Sequence, residues 1–194
     1  LVTEKERKLT AYHEAGHAVS SYFLEHRDPV HHVTIIPRGQ AGGMTVYRPT
    51  EDQTFSSKGE MFDRIVSALG GRVAEQVVFG TQTTGAANDL QRATDLAKKM
   101  VTLYGMSEGL GAMAPAAVQH QYLEGNAYLD CSQETAAQVD REVQKLLDRC
   151  YTDAMQLLRD NRGLLDEIAQ LLLAKETITG DELMAYVNDA KNQL

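Results

Sequence analysis

The sequence of 194 residues contains no tryptophan and only two cysteines, and aromatic residues make up 6% of it. Two cysteines, Cys131 and Cys150, cannot cross-link a domain of this size and do not form a CxxC pair. We therefore predict two free thiols in a reducing compartment and no thiolate metal site. So few aromatic side chains offer little surface on which nucleic-acid bases could stack.

Long hydrophobic runs are also absent, and none approaches the ~18 residues that a membrane helix needs. We expect no membrane span in this chain. The pattern G-x-x-x-x-G-K-[ST] is missing as well, so we expect no ATP site of the P-loop type. The content of hydrophobic residues (43%) and of charged residues (24%) is that of a globular domain.

The charge is unevenly distributed along the chain, whose net charge is −8. Residues 124–194 hold 14 acidic and 7 basic side chains, whereas residues 1–123 hold 13 acidic and 12 basic ones. The acidity of the C-terminal part argues against nucleic acid or an anionic membrane as its partner.

Hydrophobic periodicity and turn residues predict a mainly α-helical chain with a small β region near the N-terminus. Thr3 and Glu6 have capping-box spacing at the start of the first helix, and Asn88 is expected to cap the third. A long amphipathic helix is expected to begin near Ser132. The expected elements are helices at 4–25, 57–79, 88–104, from 132, 162–175 and 180–190, strands at 33–36 and 44–47, and a long loop at 105–131.

The first predicted helix contains His13-Glu14-Ala15-Gly16-His17, which is an H-E-x-x-H motif. Histidines at i and i+4 lie on one helix face, so both imidazoles can reach one zinc ion at ~2.0–2.1 Å. Glu14 lies beside the first histidine and can accept a proton from the attacking water. Gly16 costs a helix about 1 kcal/mol relative to alanine, which suggests that another element approaches it closely.

A hydrolytic zinc site needs a third protein ligand and one open position. Ser20 and Phe23 stand where a metzincin has glycine and histidine, which excludes that class, and His26 is expected to point away from the motif. We therefore expect a carboxylate from a later helix, and the residues alone leave both Glu75 and Asp89 as candidates. The remaining histidines are expected outside the ligand set: His31, His32 and His120.

Three motifs in this order make the chain resemble the peptidase domain of FtsH-type AAA metalloproteases. They are His-Glu-Ala-Gly-His at 13–17, Gly-Gly-Arg-Val-Ala-Glu at 70–75 and Thr-Thr-Gly-Ala-Ala-Asn-Asp-Leu at 83–90. The resemblance covers essentially the whole chain. It implies a mainly α, zincin-like fold with a small β region and a C-terminal helical bundle.

The resemblance also implies a division of the chain and a set of site residues. It suggests one metallopeptidase domain over 1–194, with a zinc-site core at 1–105, a loop at 105–131 and a helical part at 132–194. The implied zinc ligands are His13, His17 and Asp89, with Glu14 as the general base and Glu75 as a residue that orients a zinc histidine. The alternative for Glu75 is a buried ion pair with Arg72.

One predicted strand is a candidate substrate site, because an extended peptide can add to a strand edge with little sequence preference. The alternative is that this strand is merely paired within the chain. The candidate substrate-binding residues are Met44, Thr45, Val46 and Tyr47.

The function implied by the resemblance is that of a zinc-dependent endopeptidase with one Zn²⁺ per chain. It would degrade polypeptides that are already unfolded or that an ATPase module of the longer family chain has unfolded. The family further implies a hexamer, and a membrane anchor elsewhere in the full-length protein, with this domain in the bacterial cytoplasm or an organelle interior. The alternative is a non-catalytic, zinc-stabilised helical module that assembles a larger ring. Glu14 discriminates between the two, because a structural zinc site needs no base.

Overall fold

The computed structural model of the chain describes residues 1–26, 28–48, 54–118 and 127–193. The fold is mainly α-helical with a small sheet, which confirms the predicted fold class. The helices are α1 (Glu4–Tyr22), α2 (Lys58–Phe79), α3 (Ala87–Thr102), α4 (Gln133–Asp160), α5 (Arg162–Lys175) and α6 (Gly180–Asn192). The strands are β1 (Val30–Thr34), β2 (Met44–Tyr47), β3 (Ala116–Val118), β4 (Ala127–Leu129) and β5 (Thr177–Thr179).

Helix α1 begins with the predicted capping box. The Glu6 N–H donates to the Thr3 hydroxyl at 3.2 Å, and the Thr3 N–H donates to the Glu6 carboxylate at 3.1 Å. The helix ends at Tyr22, three residues before the predicted end, because the Phe23 N–H turns back to the carbonyl oxygen of Ser20 and tightens the last turn. The second half of α1 is buried on all sides.

Two glycines let α1 and α2 touch backbone to backbone. A Cβ atom on Gly16 would lie 2.4 Å from the carbonyl oxygen of Gly70, and one on Gly70 would lie 2.7 Å from that of Gly16. A Cβ atom on Gly71 would lie 2.4 Å from Nε2 of His13. The close approach predicted at Gly16 is therefore confirmed, and it presses the H-E-x-x-H turn against α2.

We expect Gly16→Ala to lower the free energy of unfolding by about 1–3 kcal/mol, because the added methyl has no space between the helices. Gly163→Ala is the matched control, since a Cβ atom there meets nothing within 4 Å. That change in α5 should stabilise the protein by up to about 1 kcal/mol. Urea titration of both variants measures the difference, and a Gly16→Ala protein as stable as the parent would contradict the close crossing.

The sheet has the order β2-β1-β5, and both pairings are antiparallel. Strand β2 lies where it was predicted, at one edge of this sheet. Strand β1 runs from Val30 to Thr34 rather than over the predicted 33–36, because its pairing with β2 begins at Val30 and its pairings with β2 and β5 both end at Thr34. The three residues of β5 were not predicted, since they are too few to show an alternation.

The predicted start of the third helix was also wrong. Asn88 does not cap α3; the helix begins at Ala87, directly after a 3₁₀ turn at Thr84–Ala86. The Thr83 hydroxyl accepts a hydrogen bond from the Gly85 N–H and so begins the 3₁₀ turn. This turn matters for function because it determines where the first residues of α3 point.

The predicted loop at 105–131 contains two short strands, β3 and β4, that pair with each other in antiparallel orientation. His120 lies outside the described residues. Helix α4 begins as predicted, with Ser132 as its N-cap.

The three C-terminal helices share one hydrophobic core with α1 and α2. The apolar stripe of α4 packs on α2 and α3, and α5 packs on α1. The stripe is thus used within the chain, and its buried members are Val139, Val143, Cys150, Ala154 and Leu158. Both cysteines are free thiols, with Cys131 exposed. Within the described ranges, no helix has both the length and the apolar character needed to cross a membrane.

Candidate metal centre

Three potential ligand atoms from two helices meet at the crossing of α1, α2 and the start of α3. Nε2 of His13 lies 3.1 Å from Nε2 of His17, and Oδ2 of Asp89 lies 3.0 Å and 3.1 Å from these two nitrogens. Both histidines are buried, and Asp89 is largely so. The structure therefore brings Asp89, rather than Glu75, between the two motif histidines. No other group of three such side chains converges in this way within the part of the chain that the structure describes.

The outer nitrogen of each imidazole is held by a hydrogen-bond acceptor. Nδ1 of His17 lies 2.9 Å from the carbonyl oxygen of Ser67, and Nδ1 of His13 lies 3.2 Å from Oε2 of Glu75. A carbonyl oxygen can only accept, so Nδ1 of His17 carries a proton, and Nε2 is the nitrogen that faces His13 and Asp89. Glu75 holds His13 in the corresponding orientation, so Nε2 of His13 faces the same point and would be a second metal-binding atom.

This donor set fits zinc. Two imidazole nitrogens and one carboxylate oxygen are common zinc ligands, and atoms bound at ~2.0–2.1 Å around a tetrahedral ion lie ~3.3 Å apart. The observed separations of 3.0–3.1 Å are close to that value. Three protein ligands leave the fourth position free, which is the arrangement of a hydrolytic site and not of a structural one.

The charges around the centre also favour a cation. Burial alone would raise the pKa of Asp89, but its hydrogen bonds to His13 and His17 outweigh burial and hold that pKa well below its usual range. Burial alone would lower the pKa of His13, yet the bonds to Asp89 and Glu75 raise it to about 9. Both shifts mean that the carboxylates stabilise positive charge among these side chains.

Glu75 lies behind His13 and is fully buried. Its second carboxylate oxygen accepts a hydrogen bond from the Thr83 hydroxyl. Burial would raise the pKa of Glu75, but the bonds from His13 and Thr83 lower it overall. The structure does not show the alternative, an ion pair between Glu75 and Arg72. Arg72 donates a hydrogen bond to the Thr83 carbonyl oxygen at 3.1 Å instead.

Glu14 lies beside the three atoms and is only 7% exposed. Its Oε2 accepts a hydrogen bond from the Thr45 hydroxyl at 2.7 Å. Glu14, His13 and His17 all line a cleft of about 910 Å³ between the sheet and α3. A carboxylate and a candidate metal centre therefore open into the same cavity.

The candidate substrate strand forms part of the wall of this cleft. Met44, Thr45 and Tyr47 line it, whereas Val46 does not. Burial raises the pKa of the Tyr47 hydroxyl to about 12. Strand β2 is paired with β1 along one edge and has no described strand on the other.

Several residues that touch the centre were not identified from the sequence. Arg92 donates to Oδ1 of Asp89 at 3.1 Å, and its position three residues further along α3 was an available signal. Thr83 is the first residue of the motif at 83–90, but no role was predicted for it. The carbonyl of Ser67 had no sequence signal, since every residue has a carbonyl group.

The other described histidines lie apart from the three atoms. The backbone N–H of His26 donates to Asp63 at 3.0 Å, and both residues line the same cleft. His31 and His32 contact each other on β1, with their Nδ1 atoms 2.6 Å apart. None of these side chains belongs to the group at His13, His17 and Asp89.

Comparison with known proteins places this geometry in a family. The model of Peptidase family M41 matches residues 1–186. The chain is 47% identical over 188 residues to the ATP-dependent zinc metalloprotease FtsH of Clostridium perfringens, covering 96% of this chain and 26% of that protein. It is 46% identical over 196 residues to the FtsH of Caldicellulosiruptor bescii, covering 99% of this chain and 32% of that protein. For the FtsH of Bacillus subtilis the identity is 45% over 192 residues, which is 97% of this chain and 30% of that protein.

The chain thus spans only about a quarter to a third of the length of these curated relatives. Both comparisons agree with the three motifs and with the mainly helical fold, and they confirm the resemblance predicted from the sequence. The metallopeptidase class predicted from the H-E-x-x-H motif is confirmed at the level of the family. The chain belongs to peptidase family M41, the family of the FtsH-type zinc metalloproteases that it resembles.

Proposed function

We propose that the chain is a zinc-dependent endopeptidase in which His13, His17 and Asp89 hold one zinc ion and Glu14 is the general base. The observation that carries the proposal is the convergence of two imidazole nitrogens and one carboxylate oxygen beside a second carboxylate, that of Glu14. Bound zinc would supply Lewis-acid chemistry, polarising the scissile carbonyl and activating water for attack.

The remaining chemistry belongs to the side chains of the cleft. Glu14 accepts a proton from the attacking water and later donates it to the leaving amine. One of its carboxylate oxygens is engaged by Thr45, and none of the described residues hydrogen-bonds the other. That second oxygen is available to a water in the cleft. Glu75 and the carbonyl of Ser67 keep the two imidazoles in the orientation and tautomer that the site needs.

The substrate is proposed to be an extended polypeptide. Strand β2 lies at the edge of its sheet beside the cleft, so its outward backbone N–H and C=O groups are available for pairing with another strand. Binding through the backbone would explain acceptance of many sequences. A folded protein does not offer such a segment, so the chain is expected to act on unfolded polypeptides.

The longer protein is proposed to contain an ATPase module that unfolds substrates, because the relatives are named ATP-dependent zinc metalloproteases. A hexameric ring and a membrane anchor outside this chain belong to the same proposal. The competing function is an assembly module with a structural zinc ion. The three-ligand geometry and the buried Glu14 favour the enzyme, because a structural site closes with four protein ligands.

Metal content and proteolysis of the purified chain test this proposal together. We expect about one zinc per chain by elemental analysis and degradation of casein, which is largely unfolded. A chelator should abolish degradation and added zinc should restore it. A stably folded protein should be spared with or without ATP, since the chain has no P-loop. A zinc-replete chain that never cleaves casein would favour the assembly module, and degradation stimulated by ATP would contradict the absence of a nucleotide site.

A further inference from the structure

The Glu14 carboxylate is held by the sheet and not by its own helix. The Thr45 hydroxyl lies 2.7 Å from Oε2 of Glu14 and 3.3 Å from the Glu14 carbonyl oxygen. A separation of 2.7 Å is the usual length of a well-formed hydroxyl hydrogen bond. The Thr45 hydroxyl therefore contacts both the side-chain carboxylate and the backbone carbonyl of Glu14.

The backbone at Gly43, directly before β2, packs closely against the aliphatic part of the Glu14 side chain. A Cβ atom on Gly43, just before β2, would lie 3.0 Å from Cγ of Glu14 and 2.7 Å from Cγ2 of Thr10. Only a glycine lets the chain approach this closely. No lysine or arginine in the described ranges forms an ion pair with Glu14, so the contacts from this segment are what restrict its carboxylate.

We propose that Thr45 is a positioning residue for Glu14: its hydroxyl holds one carboxylate oxygen and turns the other toward the cleft. The inference rests on the proposed function, in which Glu14 is the base. It differs from the role predicted for Thr45 in the sequence, which was contact with the substrate. Thr45 belongs to β2. The same strand therefore orients the general base and offers the free edge along which the substrate peptide would pair.

The consequence for catalysis is a specific division of labour within β2. Strand addition uses backbone groups, so removing the Thr45 hydroxyl should leave substrate binding unchanged. Losing a hydrogen bond to a charged group, or misplacing a base by a fraction of an ångström, should slow the chemical step. The effect of the hydroxyl is thus expected in kcat and not in KM.

The test compares Thr45→Val, which keeps the shape but removes the hydroxyl, with Thr45→Ser, which keeps the hydroxyl. Thr94→Val is the matched control, because the Thr94 hydroxyl donates to the Leu90 carbonyl of its own helix and does not line the cleft. With zinc-loaded protein and an unstructured peptide, we expect Thr45→Val to lower kcat by about 10- to 100-fold at unchanged KM. Thr45→Ser and Thr94→Val should stay within about threefold of the parent, and all variants should keep their zinc.

Crystal structures of the parent and of Thr45→Val provide a readout that does not depend on activity. The Glu14 carboxylate should leave its position in the valine variant while His13 and His17 stay in place. If the valine variant is unstable, Thr45→Ala replaces it with the same expectations.

Four results would overturn the inference: a raised KM at unchanged kcat, unchanged kinetics, a serine variant as slow as the valine variant, or an unmoved Glu14 carboxylate. The first would return Thr45 to direct contact with the substrate. These results can be distinguished from a failure of the proposed function. In that case the parent protein itself would not cleave the peptide although it holds zinc.

Discussion

Glu14→Gln is expected to abolish most peptide hydrolysis while leaving the fold and the zinc content unchanged. The amide has nearly the same shape and can still accept the hydrogen bond from Thr45, but it cannot accept a proton from water. General-base catalysis contributes about 10²- to 10⁴-fold, so kcat should fall by that amount. Initial rates with an unstructured peptide, together with elemental analysis for zinc, measure both halves of this prediction.

Glu6→Gln is the control for that experiment. Glu6 lies on the same helix, but its carboxylate belongs to the exposed capping box at the N-terminus, where glutamine is also accepted. This variant should hydrolyse the peptide at the parent rate. Retained hydrolysis by a zinc-replete Glu14→Gln protein would rule out Glu14 as the base.

Asp89→Asn is expected to weaken zinc binding at least as much as His17→Ala does. Oδ2 of Asp89 lies within 3.1 Å of both Nε2 atoms, so the change removes a charged ligand from the centre itself. Glu75 contacts only the outer nitrogen of His13, and Glu75→Gln should cost about 10- to 100-fold in affinity. Competition with a chromophoric chelator measures these affinities in all three variants.

Asp95→Asn provides the matched control on α3, because Asp95 is exposed, accepts a hydrogen bond from Gln91 and does not line the cleft. Its zinc affinity should equal that of the parent. If Glu75→Gln stripped the metal and Asp89→Asn did not, the roles of the two carboxylates would have to be exchanged.

Helices and their caps were largely predictable because their signals are local. The predicted capping box at Thr3 depends on residues three apart, and the structure forms it there; α4 likewise begins after Ser132, as predicted. The role of the H-E-x-x-H motif was predictable for the same reason, because one helical turn places both imidazoles on one face.

The sheet was less predictable because its pairing is not local. The pairing of β1 with β5 joins residues that lie more than 140 positions apart in the chain. A three-residue strand has no periodicity of its own, so nothing near Thr177–Thr179 indicates a strand. The start of α3 was likewise displaced, because the Thr83 turn and not Asn88 sets it.

By itself, the sequence determined the helices, the two histidines of the centre, the neighbouring carboxylate of Glu14 and the need for a third ligand. It left Asp89 and Glu75 equivalent, and only the resemblance to a family favoured one of them. The tertiary structure decided their positions, because the contact of Gly16 with Gly70 sets the crossing of α1 and α2. That crossing places Glu75 against the outer nitrogen of His13, while the turn before α3 brings Asp89 to the inner nitrogens. Which nitrogen a carboxylate faces depends on how helices meet in space, and no spacing along the chain encodes it.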